Sequence, residues 1–168
     1  WKQDIIEVLD NLTKGPQILI GSSMGGWLMI LASKSRSNRI KALIGLAAAT
    51  DFEKNIYNSL TKKNKNDIKI RGITKYVSYG SSYMLTKKFF IEAKKNNILK
   101  KSFRFNKPLI LIQGLKDSVV DNDMPKKIMN LTTGNNIKII YLKSSDHRLS
   151  KPNDLLTINN TIESIRLL

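Results

Sequence analysis

The chain contains no cysteine and a single histidine among its 168 residues. The first scarcity excludes disulfides and thiolate metal sites and fits a reducing, cytoplasmic compartment. The second leaves one imidazole, His147, for any chemistry that needs a base near neutral pH. No apolar run approaches the roughly 20 residues that cross a bilayer, and no signal-peptide pattern opens the chain. An initiating methionine is missing too. Trp1 leads straight into Ile5, Ile6, Leu9 and Leu12, one face of a helix, as in a chain entered partway through a fold. Acidic residues are few, 13 against 29 basic ones, for a formal charge of +16. Such a balance suits nucleic acid or an anionic surface. Lysine supplies most of the charge, however, and arginine, the better reader of bases, is scarce. No zinc pattern, RNP-like strand or helix-turn-helix signature accompanies it, so a solvated surface is the simpler account and no nucleic-acid partner is expected.

What is present is a rhythm of short apolar runs. Gln17–Ile20, Ile40–Leu46, Pro108–Ile112 and Ile137–Leu142 are too continuous for one-sided antiparallel strands and suit a parallel sheet buried on both faces. Helical patterns separate them: Trp1–Leu12, Met24 to about Ser35, a helix starting near Asp123, and one starting near Pro152 that carries Leu155, Leu156, Ile158, Ile162 and Ile165. The order predicts an α/β fold with a doubly wound, mostly parallel sheet, organised as a single domain over residues 1–168. Residues from about 50 to 107 form an insertion far longer than an ordinary connection. Within it Thr61–Asp67 reads as exposed loop. A helix is predicted from about Tyr83 to Asn97, with Leu85, Phe89 and Ala93 as its apolar stripe and Lys87, Lys94 and Lys101 recurring beside it. A helix in such an insertion is a candidate lid over a site.

The chemistry concentrates at Gly21-Ser22-Ser23-Met24-Gly25-Gly26, directly after Ile18-Leu19-Ile20. Strand, sharp turn and helix in that order are the context in which G-x-S-x-G marks a nucleophile elbow. The glycine frame centres the motif on Ser23 and leaves Ser22 as the rival nucleophile. A side chain at position 21 or 25 is expected to collide with the strained turn. Met24 N–H, at the start of the helix, is the candidate oxyanion donor. An activated serine needs a base, and the base an orienting carboxylate. His147 sits in Ser144-Ser145-Asp146-His147-Arg148 just past the last strand. Asp117 follows the third strand in Gln113-Gly114-Leu115-Lys116-Asp117, with Asp121 as the fallback acid and Asp123 expected to cap the next helix. Ser23, Asp117, His147 is the Ser…Asp…His order of one known arrangement. Neither cofactor nor metal is called for.

At these residues the chain resembles the α/β-hydrolase superfamily of serine esterases and thioesterases. Gly21-Ser22-Ser23-Met24-Gly25-Gly26-Trp27-Leu28-Met29 is similar to the elbow of a branch that includes bacterial hydrolases and a mitochondrial palmitoyl-protein thioesterase that is also an acyl-glucuronide esterase. The likeness continues through Ala42-Leu43-Ile44-Gly45, Gly114 to Asp117, Val119-Val120 and Ser145-Asp146-His147-Arg148. It implies Ser23 as nucleophile, Asp117 as orienter and His147 as general base, acting on small carboxylic esters or acyl thioesters, acyl-protein among them. Members of the superfamily precede the elbow with a first half of the sheet, and a loop there supplies the second oxyanion N–H. Trp1–Pro16 holds one helix and no strand. The chain is therefore expected to be the C-terminal portion of the fold, with the elbow strand at an unpaired edge. An inactive hydrolase fragment is the alternative to an active enzyme, and a basic binder of nucleic acid or anionic surfaces comes third.

Overall fold

The computed structural model describes residues 1–78 and 81–167. In chain order its elements are α1 (Lys2–Asn11), β1 (Gln17–Ser22), α2 (Met24–Ser35), β2 (Ile40–Leu46), α3 (Glu53–Ser59), α4 (Lys62–Arg71), β3 (Ile73–Ser78), β4 (Ser81–Thr86), α5 (Lys87–Lys95), β5 (Leu109–Gly114), α6 (Met124–Leu131), β6 (Ile137–Leu142) and α7 (Pro152–Arg166). They fall into two compact units, one of Trp1–Thr50 with Ile98–Leu168 and one of Asp51–Asn97.

In the first unit the four apolar runs become one parallel sheet of order β1-β2-β5-β6. Every residue of β5 is buried, and most of β2, which is what a continuous apolar strand dictates when both sheet faces are covered. On one face Ala42, Ile44, Ile110 and Ile112 pack with Leu149 and with Ile158 and Ile165 of α7. On the other, Gly45 lies against Met29 of α2 and Leu111. Helices on both faces make this a doubly wound α/β sheet. Burial on both faces fails at the two edges. β1 and β6 are only partly buried, and Ile20 is 46% exposed, because each has a single neighbouring strand among the described residues. Ile5, Val8, Leu9, Ile18 and Leu19 of α1 and β1 border an open apolar groove.

The second unit corrects two readings. Thr61–Asp67 is not a loop: α4 begins at Lys62, started by Thr61 Oγ1 accepting from Asn64 N–H at 3.1 Å and ended by Gly72 in the left-handed region at φ 73°. Nor does a helix begin at Tyr83. Ser81–Thr86 is a strand, paired antiparallel to β3, and α5 starts only at Lys87, capped by Thr86 Oγ1 accepting from Phe89 N–H at 3.0 Å. Leu85 belongs to β4 and is buried with Leu60 and Ile68, packed by Ile56, Tyr76, Phe89 and Phe90. Its spacing from Phe89 and Ala93 matches a helical stripe only by running across a strand–helix junction. Among the described residues, no helix is long and apolar enough to cross a membrane.

Candidate active site

Parallel strands bring their C-terminal ends to one edge, and three chemically able side chains follow three of those ends. β1 stops at Ser22, and Ser23 turns the chain into α2 at φ 52°, ψ −120°, a left-handed conformation that costs a non-glycine residue about 1–3 kcal/mol. The turn is clamped by backbone bonds. Ser23 N–H donates to Leu46 O at 2.9 Å, while Ser23 O accepts from Gly26 N–H at 3.0 Å and from Ala49 N–H at 2.9 Å. The chain just past β2 thus holds the elbow, a role that nothing in Leu46–Ala49 announces in the sequence. A Cβ on Gly21 would stand 2.3 Å from Gly25 O, so glycine is obligatory there; a Cβ on Gly25 would meet nothing within 4 Å. The expected collision at position 25 is therefore wrong, because Gly25 already lies on the helix with its Cβ direction pointing away from the turn.

The loops after β5 and β6 are joined to each other before either reaches Ser23. A Cβ on Gly114 would come within 2.3 Å of Ser145 O, and Lys116 N–H donates to that same oxygen at 2.9 Å. Ser145 is in turn bonded through its hydroxyl to the buried Asp154 of α7, whose other oxygen accepts from Lys151 N–H at 3.2 Å. His147 projects from this braced segment. Its Nδ1 lies 2.9 Å from Asp117 Oδ2 and its Nε2 lies 3.2 Å from Ser23 Oγ. An ionised carboxylate only accepts, so Nδ1 carries the proton, and in the neutral imidazole that leaves Nε2 as the acceptor for the serine hydroxyl. The structure brings Ser23, His147 and Asp117 into one hydrogen-bonded chain. Met24 N–H, at the start of α2, donates to no group among the described residues.

Asp117 has no exposed side-chain surface. Burial pushes its carboxyl upward, but bonds from Val120 N–H, His147, Val119 N–H and Gln113 together outweigh burial and hold it below the ordinary aspartate value. The backbone pair bonds Oδ1 at 2.9 and 2.8 Å, and Gln113 Nε2 bonds Oδ2 at 2.9 Å. The rivals have other partners. Asp121 is surface-exposed, pairs with Lys127 at 2.9 Å and accepts from Asp123 N–H. Asp123 stands at the first position before α6, yet its carboxylate bonds Lys126 Nζ and caps no backbone N–H. Ser22 is the exposed last residue of β1. Two participants escaped the sequence: Gln113 and Asp154. The usable signal for Gln113 is a polar residue inside the apolar run Leu109–Gly114, since a buried amide must find a partner. Among the described residues, no group of three or more His, Cys, Asp or Glu could hold a metal ion.

A doubly wound sheet with a strained serine ending one strand, and a histidine and a carboxylate in loops after two others, is the α/β-hydrolase arrangement. Residues 3–162 match the prolyl oligopeptidase family, and the chain belongs to it. Among curated proteins it is 32% identical to the human "Palmitoyl-protein thioesterase ABHD10, mitochondrial", the match covering 98% of this chain and 55% of that protein. The rat protein of the same name is also 32% identical, with 57% of its length covered. The chain thus spans a little over half the length of the curated relatives it matches. Among solved structures, a putative hydrolase from Agrobacterium vitis S4 superposes with a TM-score of 0.90 at 24% identity, over 98% of this chain and 67% of that one. The mouse "Alpha/beta hydrolase domain-containing protein 10" superposes with a TM-score of 0.85 at 29% identity, again over 98% and 67%.

Proposed function

We propose that the chain carries the catalytic relay of a serine hydrolase acting on carboxylic esters or acyl thioesters. In this reading Ser23 Oγ attacks the acyl carbon as His147 Nε2 takes its proton, and the imidazolium is stabilised and held in place by Asp117. The tetrahedral oxyanion is met by the uncommitted Met24 N–H at the start of α2. The protonated histidine then gives its proton to the leaving alcohol or thiol. Water, deprotonated by the same imidazole, releases the acid from Ser23. The observation that carries the proposal is the continuous bonding from Asp117 through His147 to a serine held at φ 52°. The thioester side of the substrate class rests on the name of the curated relatives, palmitoyl-protein thioesterase.

The test is labelling with a fluorophosphonate probe together with turnover of short p-nitrophenyl esters. Both signals should vanish in Ser23→Ala, with a rate loss of about 10⁴- to 10⁶-fold. Labelling that persists in that variant would refute the assignment. The chain spans a little over half the length of its curated relatives, and a second reading, an inactive hydrolase fragment that keeps the relay without turnover, is separated by the same assay. Under that reading Ser23 is labelled slowly while ester turnover stays at the level of Ser23→Ala.

A further inference from the structure

Gln113 stands one residue before the end of β5, fully buried in a strand that is otherwise apolar up to Gly114. Its Nε2 donates to Asp117 Oδ2 at 2.9 Å, and its one other hydrogen bond among the described residues, to Gly114 O, is long at 3.4 Å. Its own Oε1 is buried with no hydrogen-bond partner among the described residues. A buried orphan acceptor works against folding, and an apolar side chain of the same length would avoid it. The amide is therefore informative for what its N–H does. Oδ1 of Asp117 is pinned by Val119 N–H and Val120 N–H. Two bonds to one oxygen leave the carboxylate free to pivot about it, and the pivot carries Oδ2 away from His147. Among the described residues, Gln113 is the one donor besides His147 itself that fixes the second oxygen.

We propose that Gln113 is a positioning residue: it locks the plane of the Asp117 carboxylate so that Oδ2 faces His147 Nδ1. The inference rests on the relay described under Proposed function, and it assigns the geometry of that relay to a side chain outside the three reacting ones. Asp117 and His147 are the titratable groups in this bonded cluster. Gln113 itself moves no proton; its amide dipole sets an orientation. Small displacements matter in such a site, since about 1 Å of misplacement is able to cost on the order of 10²-fold in rate.

The experiment compares Gln113→Met, which keeps length and volume and removes the donor, with Gln113→Glu, which donates only while its new carboxyl is protonated. Each is measured in the full chain for thermal midpoint, for kcat and KM on p-nitrophenyl acetate from about pH 5 to about pH 8, and by the proton NMR signal of His147 Nδ1–H. That signal is unambiguous because the chain has one histidine. Gln113→Met should hold or raise the midpoint, leave KM within about twofold and lower kcat about 10- to 100-fold. The Nδ1–H signal should move upfield and broaden as the bond to Asp117 loosens. Gln113→Glu should lose ground to the wild type progressively as pH rises; the Met variant decides alone where the Glu variant does not fold. A Met variant with unchanged kcat and an unchanged Nδ1–H signal overturns the proposal, as does activity lost only in proportion to folded protein. If the wild type itself shows no Ser23-dependent chemistry, the hydrolase reading fails. The NMR signal still answers separately for Gln113.

Discussion

In the sheet unit, β2 and β5 bury nearly every side chain, and Ile44, Leu43, Leu109, Leu111 and Ile112 are all but sealed from solvent. In Asp51–Asn97 the packed apolar cluster of buried residues comes down, among the described residues, to Leu60, Ile68 and Leu85. There the polar side chains carry structure instead: Asn64 Nδ2 bridges from α4 to Thr74 Oγ1 at 2.8 Å and to Lys75 O at 2.7 Å, and threonines start α4 and α5. Close-packed apolar layers give a stiff frame, and the loops that bear Ser23, Asp117 and His147 spring from it. A small core assisted by hydrogen bonds gives less resistance to local opening. The same contrast decides where sequence patterns are informative.

The contrast is broken most directly at Ile44. Replacing it by alanine leaves a cavity between the sheet and α7, and Ile44→Ala should cost about 2–5 kcal/mol in urea unfolding. Amide exchange should accelerate across β1, β2, β5 and β6 together. An unchanged midpoint would show that the sheet is not the stability core.

What was legible follows from this. The runs at Ile40–Leu46 and Ile137–Leu142 coincide with β2 and β6 to the residue, because packing against the sheet faces demands apolar side chains in a sealed strand such as β2 and in a partly covered edge strand such as β6. Ser23, Asp117 and His147 were legible because strand ends punctuated by glycine precede the first two, and only one imidazole exists to serve them. Asp154 was not, since its partner Ser145 lies across a loop and no local pattern names it; Gln113 left one mark, a polar residue in an apolar run, which says that it is bonded but not to what. The Lys62–Arg71 helix was hidden by its polarity: Ile68 is its one buried residue, so the 3.6-residue period has nothing to display. Its marks were Thr61 and Gly72, a cap and a stop, which are single residues rather than a rhythm. Tyr83–Thr86 misled for the opposite reason, supplying a false helical period across a boundary.

Charge sharpens the comparison with a smaller effect. Burial pushes the Asp117 carboxyl up, but the hydrogen bonds to it outweigh burial, so its folded-state pKa lies below the ordinary 3.8. A depressed carboxylate adds stability that is complete above the unfolded value and is lost as pH falls toward the folded one. The stability gap between wild type and Asp117→Asn should therefore shrink on acidification below about pH 4, and added salt should leave it nearly untouched. Glu92 in α5 is also held low, first by its hydrogen bond from Lys95 and then by the charge of that ammonium, but both side chains are half or more exposed. Its contribution should fade with salt. Equal salt sensitivity at the two sites, read from urea midpoints at low and high ionic strength, would erase the distinction.

The smallest effect belongs to Thr61, and it isolates the second mode of stabilisation. The first turn of α4 carries Lys62 and Lys63 and no acidic residue, so the helix dipole is opposed where it should be complemented. The cap bond from Asn64 N–H to Thr61 Oγ1 works against that handicap. Thr61→Ala should cost about 1 kcal/mol, and Thr61→Asp should recover it or better, because a carboxylate both accepts the bond and offsets the dipole. Amide exchange should report the loss in α4 and in the Asn64-bridged start of β3, while β2 and β5 keep their protection. If Thr61→Ala instead speeds exchange across the whole sheet as Ile44→Ala does, the two units unfold as one, and their different chemistries of cohesion do not give them separate stabilities.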